Sequence, residues 1–364
     1  MTKIEKLQKW LKDQEADWAY ISNPEHIAYY ANFHSEPHER VLALFIPQAG
    51  GTPFLFTPAM ETEAAAATGW EGLVQGYLDN EDPWTLIAQM IERLGGGNRF
   101  AIEKNHLTVD RYAAIKHVLP GDYGTDLTSF IEQQLLIKTP DEIEKLKEAG
   151  KWADQALSIG FQAIQTGATE MDVVAEIEYQ LKKQGVAAMS FDTLVQTGAN
   201  AANPHGEPGL RPLEEHKFVL FDLGVIWKGY CSDVSRTVAF KEPNDFDRKI
   251  YHLVLEAHMA AFNAVRPGIT ASELDHIARE VIEDAGYGEY FNHRLGHGIG
   301  TTVHEFPSIM EGNDMVLKEG MCFSIEPGIY IPEKVGVRIE DCVCVTKDGA
   351  LPFTHTPKEL TILK

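Results

Sequence analysis

Four carboxylates and one imidazole stand in strand-like segments of the second half of the chain. They are Asp222 and Asp233 in FVLFDLGVIWKGYCSDVSRTVAF, His297 in HRLGHGIG, Glu326 in CFSIEPGIY and Glu340 in GVRIEDCVCV. Asp222 and Asp233 are separated by a Gly-containing turn, the arrangement by which two adjacent antiparallel strands face two carboxylates into one site. Around Glu340, period-two alternation puts Arg338, Glu340 and Cys342 on one face and Ile339 and Asp341 on the other, so Arg338 reaches whatever Glu340 binds. Together the five form a hard, oxygen-rich set, suited to Mn²⁺, Co²⁺, Fe²⁺ or Zn²⁺ rather than to a thiolate zinc site. Four converging negative charges repel one another, and two dications neutralise them formally, so two ions fit better than one. Taken singly, an Asp or Glu is ordinary as a solvated surface charge and a His as a structural hydrogen-bond partner. Spacing alone leaves that choice open.

The elements that must position these residues carry an internal echo. FQAIQTGATEMDVVAEIEYQLKKQG (161–185) aligns without a gap on FNAVRPGITASELDHIAREVIEDAG (262–286). Phe161/Phe262, Ala163/Ala264, Gly167/Gly268, Thr169/Thr270 and Gly185/Gly286 are identical. In each copy a helix stops at glycine and a capping box starts the next, Thr169 with Asp172 and Thr270 with Glu273. Two similar helix pairs, each followed by strands, predict two halves related by a pseudo-two-fold axis, with a cleft between them. Upstream, roughly the first 125 residues alternate helical and strand patterns: IEKLQKWLKD, DWAYIS, PEHIAYYA, VLALFI, FLFT, PWTLIAQMIERLGGG, RFAIE and TVDRYAAIKHVL. No Gly-rich phosphate loop follows any of these strands, and Gly95 to Gly97 read as a helix stop, so no nucleotide cofactor is implied. The pattern changes over 127–140. The expected organisation is an α/β domain over 1–130 and an α+β domain over 131–364.

Composition narrows the function. The 364 residues, 44% hydrophobic, are enough for two domains with a sizeable core. A net charge of -22 repels phosphate backbones and anionic lipid heads, which argues against nucleic-acid and membrane partners. The amphipathic start MTKIEKLQKW and the lack of a run of about 18 apolar residues argue against secretion and membrane spanning. Cys231, Cys322, Cys342 and Cys344 include no CxxC pair, so reduced thiols in a cytoplasmic protein are expected.

FDLG, GYCSD, GHGIG, IEPGIY and VRIED, in this order and at these intervals, resemble the signature of the pita-bread metallopeptidases, the family of prolidase, aminopeptidase P and methionine aminopeptidase. The resemblance implies a pita-bread catalytic domain in which Asp222 and Asp233 bind one ion and His297 the other, with Glu326 and Glu340 as further ligands and Asp233 and Glu340 bridging. The family's substrate-side histidines match His205 in NPHG, His293 before the ligand histidine and His304 in VHE after it, and its arginine beside the bridging glutamate matches Arg338. An N-terminal α/β domain is similar to the creatinase, prolidase and aminopeptidase P branch and not to methionine aminopeptidases. Creatinase and the family's non-catalytic binding proteins lack the ligands; all five are present here.

The resemblance therefore implies hydrolysis by a hydroxide bridging two divalent ions, manganese in the first place, with cobalt, zinc or iron as alternatives. Glu326 would shuttle a proton, while His205 and His304 would donate hydrogen bonds to the developing oxyanion or the proline carbonyl. The implied substrate is a small peptide with proline second, and the implied assembly a homodimer. The compact length looks most like the microbial Xaa-Pro dipeptidases. Longer Xaa-Pro peptides, as for aminopeptidase P, are the alternative, and a non-catalytic binding module is the alternative of another class. Some prolidases carry an arginine four residues after the VHE histidine to grip the substrate carboxylate; here that position is Ser308. The candidate clamps are then Arg294 and Arg40, the latter in the polar segment HSEPHER (34–40), which could form a lid.

Overall fold

The computed structural model describes residues 1–48, 50–204 and 206–364. They divide into two compact units, Met1–Gln134 and Leu135–Lys364. The first unit runs α1 (Lys3–Asp13), β1 (Trp18–Ile21), α2 (Pro24–Ala31), β2 (Ala43–Pro47), β3 (Phe54–Pro58), α3 (Thr62–Ala67), β4 (Leu73–Tyr77), α4 (Pro83–Arg93), β5 (Arg99–Ile102), α5 (Val109–Val118), β6 (Asp122–Asp126) and α6 (Thr128–Leu136), the last crossing into the second unit. Its six strands form one sheet in the order β4-β3-β2-β1-β5-β6. The central strands are apolar throughout because the sheet is buried on both faces. Tyr20, Phe45 and Phe54 stack across β1, β2 and β3 at 4.8 and 4.9 Å between ring centroids. Helix starts follow local chemistry: Thr2 with Glu5 closes a capping box on α1, and Asn23 and Asp82 cap α2 and α4 ahead of a proline.

The second unit begins with α7 (Pro140–Ala163) and α8 (Glu170–Lys183), then β7 (Ala188–Met189), β8 (Leu194–Thr197), β9 (Lys217–Leu223), β10 (Val225–Trp227), β11 (Tyr230–Cys231) and β12 (Val234–Phe240). A second helix pair, α9 (Asp245–Ala264) and α10 (Ala271–Asp284), precedes β13 (Gly296–Gly298), β14 (Glu305–Ile309), β15 (Cys322–Ile325), β16 (Gly328–Ile331), β17 (Val335–Arg338), β18 (Asp341–Thr346), β19 (Gly349–Pro352) and β20 (Ile362–Leu363). The internal echo is structural. Shifting Ala163, Glu170 and Lys183 by the offset of the alignment gives Ala264, Ala271 and Asp284, so the helices end and begin at equivalent residues. Both capping boxes form, and Gly167, Gly268, Gly185 and Gly286 all take positive φ in the turns that follow the helices.

Each half has its own sheet: β8-β9-β12-β20 in the first and β14-β13-β15-β18-β19 in the second. Helix α7 lies on β9 so closely that a Cβ at Gly160 would come 2.6 Å from the ring of Phe221. In the second half, α9 and α10 bury Ile250, Val254, Leu274 and Ile282 against Phe323, Ile325 and Val343. Among the described residues, no helix is long and apolar enough to cross a membrane, and all four cysteines are buried.

Candidate metal centre

The two aspartates arrive on paired strands. Asp222 in β9 is the register partner of Ser235 in β12, and Asp233 directly precedes β12. Opposed residues share a face, and alternation puts Asp233 on the side of Ser235, so both carboxylates point the same way. Ser235, wholly buried, joins them to the other half: its Oγ donates to Glu340 Oε2 at 2.7 Å and accepts from Arg338 Nε at 2.8 Å. Arg338 also donates from Nη2 to Asp222 Oδ2 and from Nη1 to the Tyr330 hydroxyl, the latter at 2.7 Å.

His297 comes from β13. A Cβ at the neighbouring Gly296 would lie 1.9 Å from the Ser324 carbonyl, so only glycine lets this strand lie so close to β15. The Nδ1 of His297 sits 3.1 Å from the Gly298 carbonyl, to which it donates. That leaves Nε2 facing Glu326 Oε1 at 3.1 Å and Asp233 Oδ2 at 3.6 Å. Ser324 braces both residues, accepting from the His297 amide and donating to Glu326 Oε1, each at 3.0 Å.

Donor atoms of Asp233, His297 and Glu340 all lie within 4.8 Å of one another. Asp222 Oδ1, Asp233 Oδ1 and Glu340 Oε1 are buried without a hydrogen-bond partner among the described residues. A buried carboxylate oxygen with no donor is costly, and three in one place are accounted for by a cation. The electrostatics agree. Burial, followed by the charge of Asp222, pushes the Asp233 carboxyl well above its usual range. Burial and then Asp233 do the same to Glu340. Asp222 is raised by burial, against the opposing pull of Arg338. Burial also works against ionisation of Glu326, but the His297 hydrogen bond and nearby positive charges outweigh it and bring Glu326 down to about 2. Three acids that resist ionisation beside one that ionises readily is a donor set suited to divalent ions.

Around this centre, the exposed His304 ring packs edge-on against His297 with centroids 4.1 Å apart. His293 donates from Nδ1 to the Arg294 carbonyl at 2.7 Å and meets the Tyr330 hydroxyl with Nε2 at 3.2 Å. Burial holds its pKa below the ordinary value, favouring the neutral ring. His205 lies outside the described residues. Arg294 donates to Ser308 Oγ at 2.9 Å, and Ser308 is the register partner of His297, which places this arginine on the strand pair that carries the imidazole. Arg40, in the first unit, grips Asp79 with two hydrogen bonds of 2.9 and 3.0 Å.

Behind the centre lies a buried ionic network that the motifs do not announce. Asp341 receives Arg236 Nη2 at 2.8 Å, the Thr354 hydroxyl at 2.5 Å and Lys358 Nζ at 2.8 Å, with His258 Nε2 at 3.2 Å. His258 also reaches the Ile325 carbonyl from Nδ1 at 3.1 Å, and Arg236 reaches the Glu340 carbonyl. The residue before Glu326 and the residue after Glu340 are thereby fixed from the rear. Arg236 further binds the carbonyls of Thr356 and Pro357, while Asp154 of α7 accepts the amides of His355 and Thr356. The signal was present in part: His258 occupies the buried stripe of α9, where an imidazole among Val254, Ala257 and Ala261 requires partners.

With these five donors on two related half-domains, the chain belongs to metallopeptidase family M24, whose model matches residues 144–347. The Creatinase/Prolidase N-terminal domain model matches residues 3–134. Membership implies divalent metal ions at the centre. Among its relatives, the chain is 54% identical to a Xaa-Pro dipeptidase of Lactobacillus delbrueckii subsp. lactis over 99% of this chain and 98% of the other. Among solved structures it superimposes on the Xaa-Pro dipeptidase from Bacillus anthracis with a TM-score of 0.92 at 35% identity, covering 99% of each chain. It also superimposes on the X-Pro aminopeptidase from Thermotoga maritima with a TM-score of 0.89 at 30% identity, covering 99% of this chain and 100% of that one.

Proposed function

We propose that this protein is a metal-dependent dipeptidase that hydrolyses the bond between an amino acid and proline. The observation that carries the reading is the set of three orphaned carboxylate oxygens on Asp222, Asp233 and Glu340, with donor atoms of Asp233, Glu340 and His297 within 4.8 Å of one another, supported by likeness to named Xaa-Pro dipeptidases over the full chain. Asp222, Asp233, His297, Glu326 and Glu340 would hold the ions, with Asp233 and Glu340 the carboxylates that would be shared; manganese suits the donors, and cobalt, zinc and iron remain compatible. When bound, the ions lower the pKa of water and polarise the scissile carbonyl. Glu326 takes a proton from the attacking water and delivers it to the proline nitrogen as the C–N bond breaks. That nitrogen has no N–H to offer, so recognition falls to groups around the carbonyls and the ring. His304 and His205 supply donors there, His293 stays neutral and shapes the proline side, and Arg338 holds Asp222 in place. Arg294, next to the site strand, takes the free carboxylate of a dipeptide. The molecule works as a homodimer.

The test is turnover of Leu-Pro, Leu-Pro-amide, Leu-Pro-Pro and Leu-Ala by metal-loaded protein, in wild type and in Arg294→Ala. Leu-Pro should be cleaved fastest and Leu-Ala hardly at all, with the preference for a free carboxylate weakened in the variant. Faster cleavage of Leu-Pro-Pro would replace this reading with that of an aminopeptidase acting on longer peptides. Absence of both metal and turnover would leave a binding protein.

A further inference from the structure

The segment that carries His293 has no regular structure between Tyr290 and Gly296, yet three of its backbone groups are fastened to one pair of side chains on α10. Asp275 and Arg279 stand four residues apart on that helix and form a two-bonded ion pair, Nε to Oδ2 at 2.8 Å and Nη2 to Oδ1 at 3.0 Å. Pairs of this spacing on a helix surface contribute little. This one is different because Asp275 is only 1% exposed and both partners have further obligations. Arg279 Nη1 donates to the Phe291 carbonyl and Nη2 to the His293 carbonyl, each at 2.9 Å. Asp275 Oδ1 accepts the Leu295 amide, also at 2.9 Å. The guanidinium lies over the Phe291 ring, 4.2 Å from its centroid. Residues 291, 293 and 295 are thus fixed at their backbones by a single fork, and the His293 ring is then oriented by the Arg294 carbonyl on one side and Tyr330 on the other. Lysine cannot replace the fork, since an ammonium is a point charge that would keep Asp275 but not both carbonyls.

We infer that Arg279, locked by Asp275, is a positioning residue that sets His293 in place and so controls turnover without holding metal. The inference rests on the reading of His293 as a substrate-side histidine. Small displacements of a positioned group cost up to about 10²-fold in rate, so a partial loss of the fork should be visible in kcat.

The experiment compares Arg279→Lys and Arg279→Met, each alone and combined with His293→Ala, measuring kcat and KM for Leu-Pro, manganese per chain, and Tm. Arg279→Lys should keep full metal content and a near-wild-type Tm while kcat falls at least about tenfold, as expected for a displaced positioning contact. In the His293→Ala background the same substitution should have almost no further effect, because residues acting as a unit are non-additive. Wild-type kcat in Arg279→Lys, an equal fold-loss in both backgrounds, or loss of metal would each overturn the inference. A His293→Ala variant with wild-type turnover would instead overturn the reading of His293 itself, taking the inference with it. The two failures are distinct, since only an impaired His293→Ala allows additivity to be read.

Discussion

Removing one hydroxyl, Ser235→Ala, tests the architecture of the centre without touching a ligand. Ser235 Oγ is the only side-chain donor found on Glu340 Oε2 among the described residues, and it accepts from Arg338 Nε, whose guanidinium also holds Asp222. The bond from Arg338 involves a charged group and contributes about 1.5–3 kcal/mol, while the bond to Glu340, whose carboxyl burial pushes toward its neutral form, contributes about 1 kcal/mol. Alanine leaves the Arg338 Nε–H without its acceptor and frees Glu340 to rotate, so the metal-free protein should lose on the order of 3 kcal/mol. Supporting contacts to metal ligands typically account for about 10–100-fold in metal affinity. The expected result is therefore a metal Kd weakened by about one to two powers of ten, with activity recoverable at high metal concentration. Chelator competition with manganese gives the Kd, calorimetry gives the stability, and turnover against metal concentration links the two. A Kd within twofold of wild type, with unchanged kcat at limiting metal, would refute the claim that Ser235 orients Glu340.

Three further outcomes are expected. Asp233→Asn and Glu340→Gln should each abolish turnover and lower the metal content, because a carboxylate serving two ions cannot be replaced by a neutral amide; full occupancy with near-normal turnover would remove the assignment. His304→Ala should retain its metal but lose at least about 10²-fold in kcat, since it removes a donor to the transition state rather than a ligand. A change in KM alone would make His304 a substrate anchor. Acidification should also stabilise the metal-free protein relative to the metal-loaded one. Asp222, Asp233 and Glu340 have folded pKa values above those of the unfolded chain, so between the two the folded state binds more protons and stability falls as pH rises. Thermal scans with and without metal would show this, and a Tm gain on acidification no larger without metal than with it would contradict the reasoning.

The duplicated helix pairs were legible because amphipathic periodicity and capping boxes are local properties, and Thr169–Asp172 and Thr270–Glu273 sit where the helices start. The aspartate hairpin was legible for the same reason, though its link is more than a turn: β10 and β11 form a small hairpin of their own between Asp222 and Asp233. Strands β4 and β6 were not anticipated. LVQGY and DYGTD are half exposed and carry glycine and aspartate, so their strand character comes from pairing with β3 and β5 rather than from composition. The motifs named the candidate ligands, but not Ser235, Tyr330 or the network around Asp341. Those roles depend on which strand lies beside which, and the separation of 105 residues between Ser235 and Glu340 leaves no periodicity to read.

The clasp formed by residues 354–358 has a meaning for how the protein is made. Asp341 and Arg236 are buried charges whose partners include Thr354, Thr356, Pro357 and Lys358, and β20 then joins the sheet beside β12. A chain leaving the ribosome presents all five candidate ligands before these partners have been synthesised. Until they emerge, Asp341 and Arg236 lack several of the contacts that make their burial tolerable, and closing the core around them is penalised. The ligand strands therefore gain their rear support only when the clasp arrives. Premature termination after Asp341 but before residue 354 would yield a chain with every metal-binding motif intact and no stable way to assemble them, a built-in check that couples the formation of a hydrolytic centre to completion of the domain that contains it.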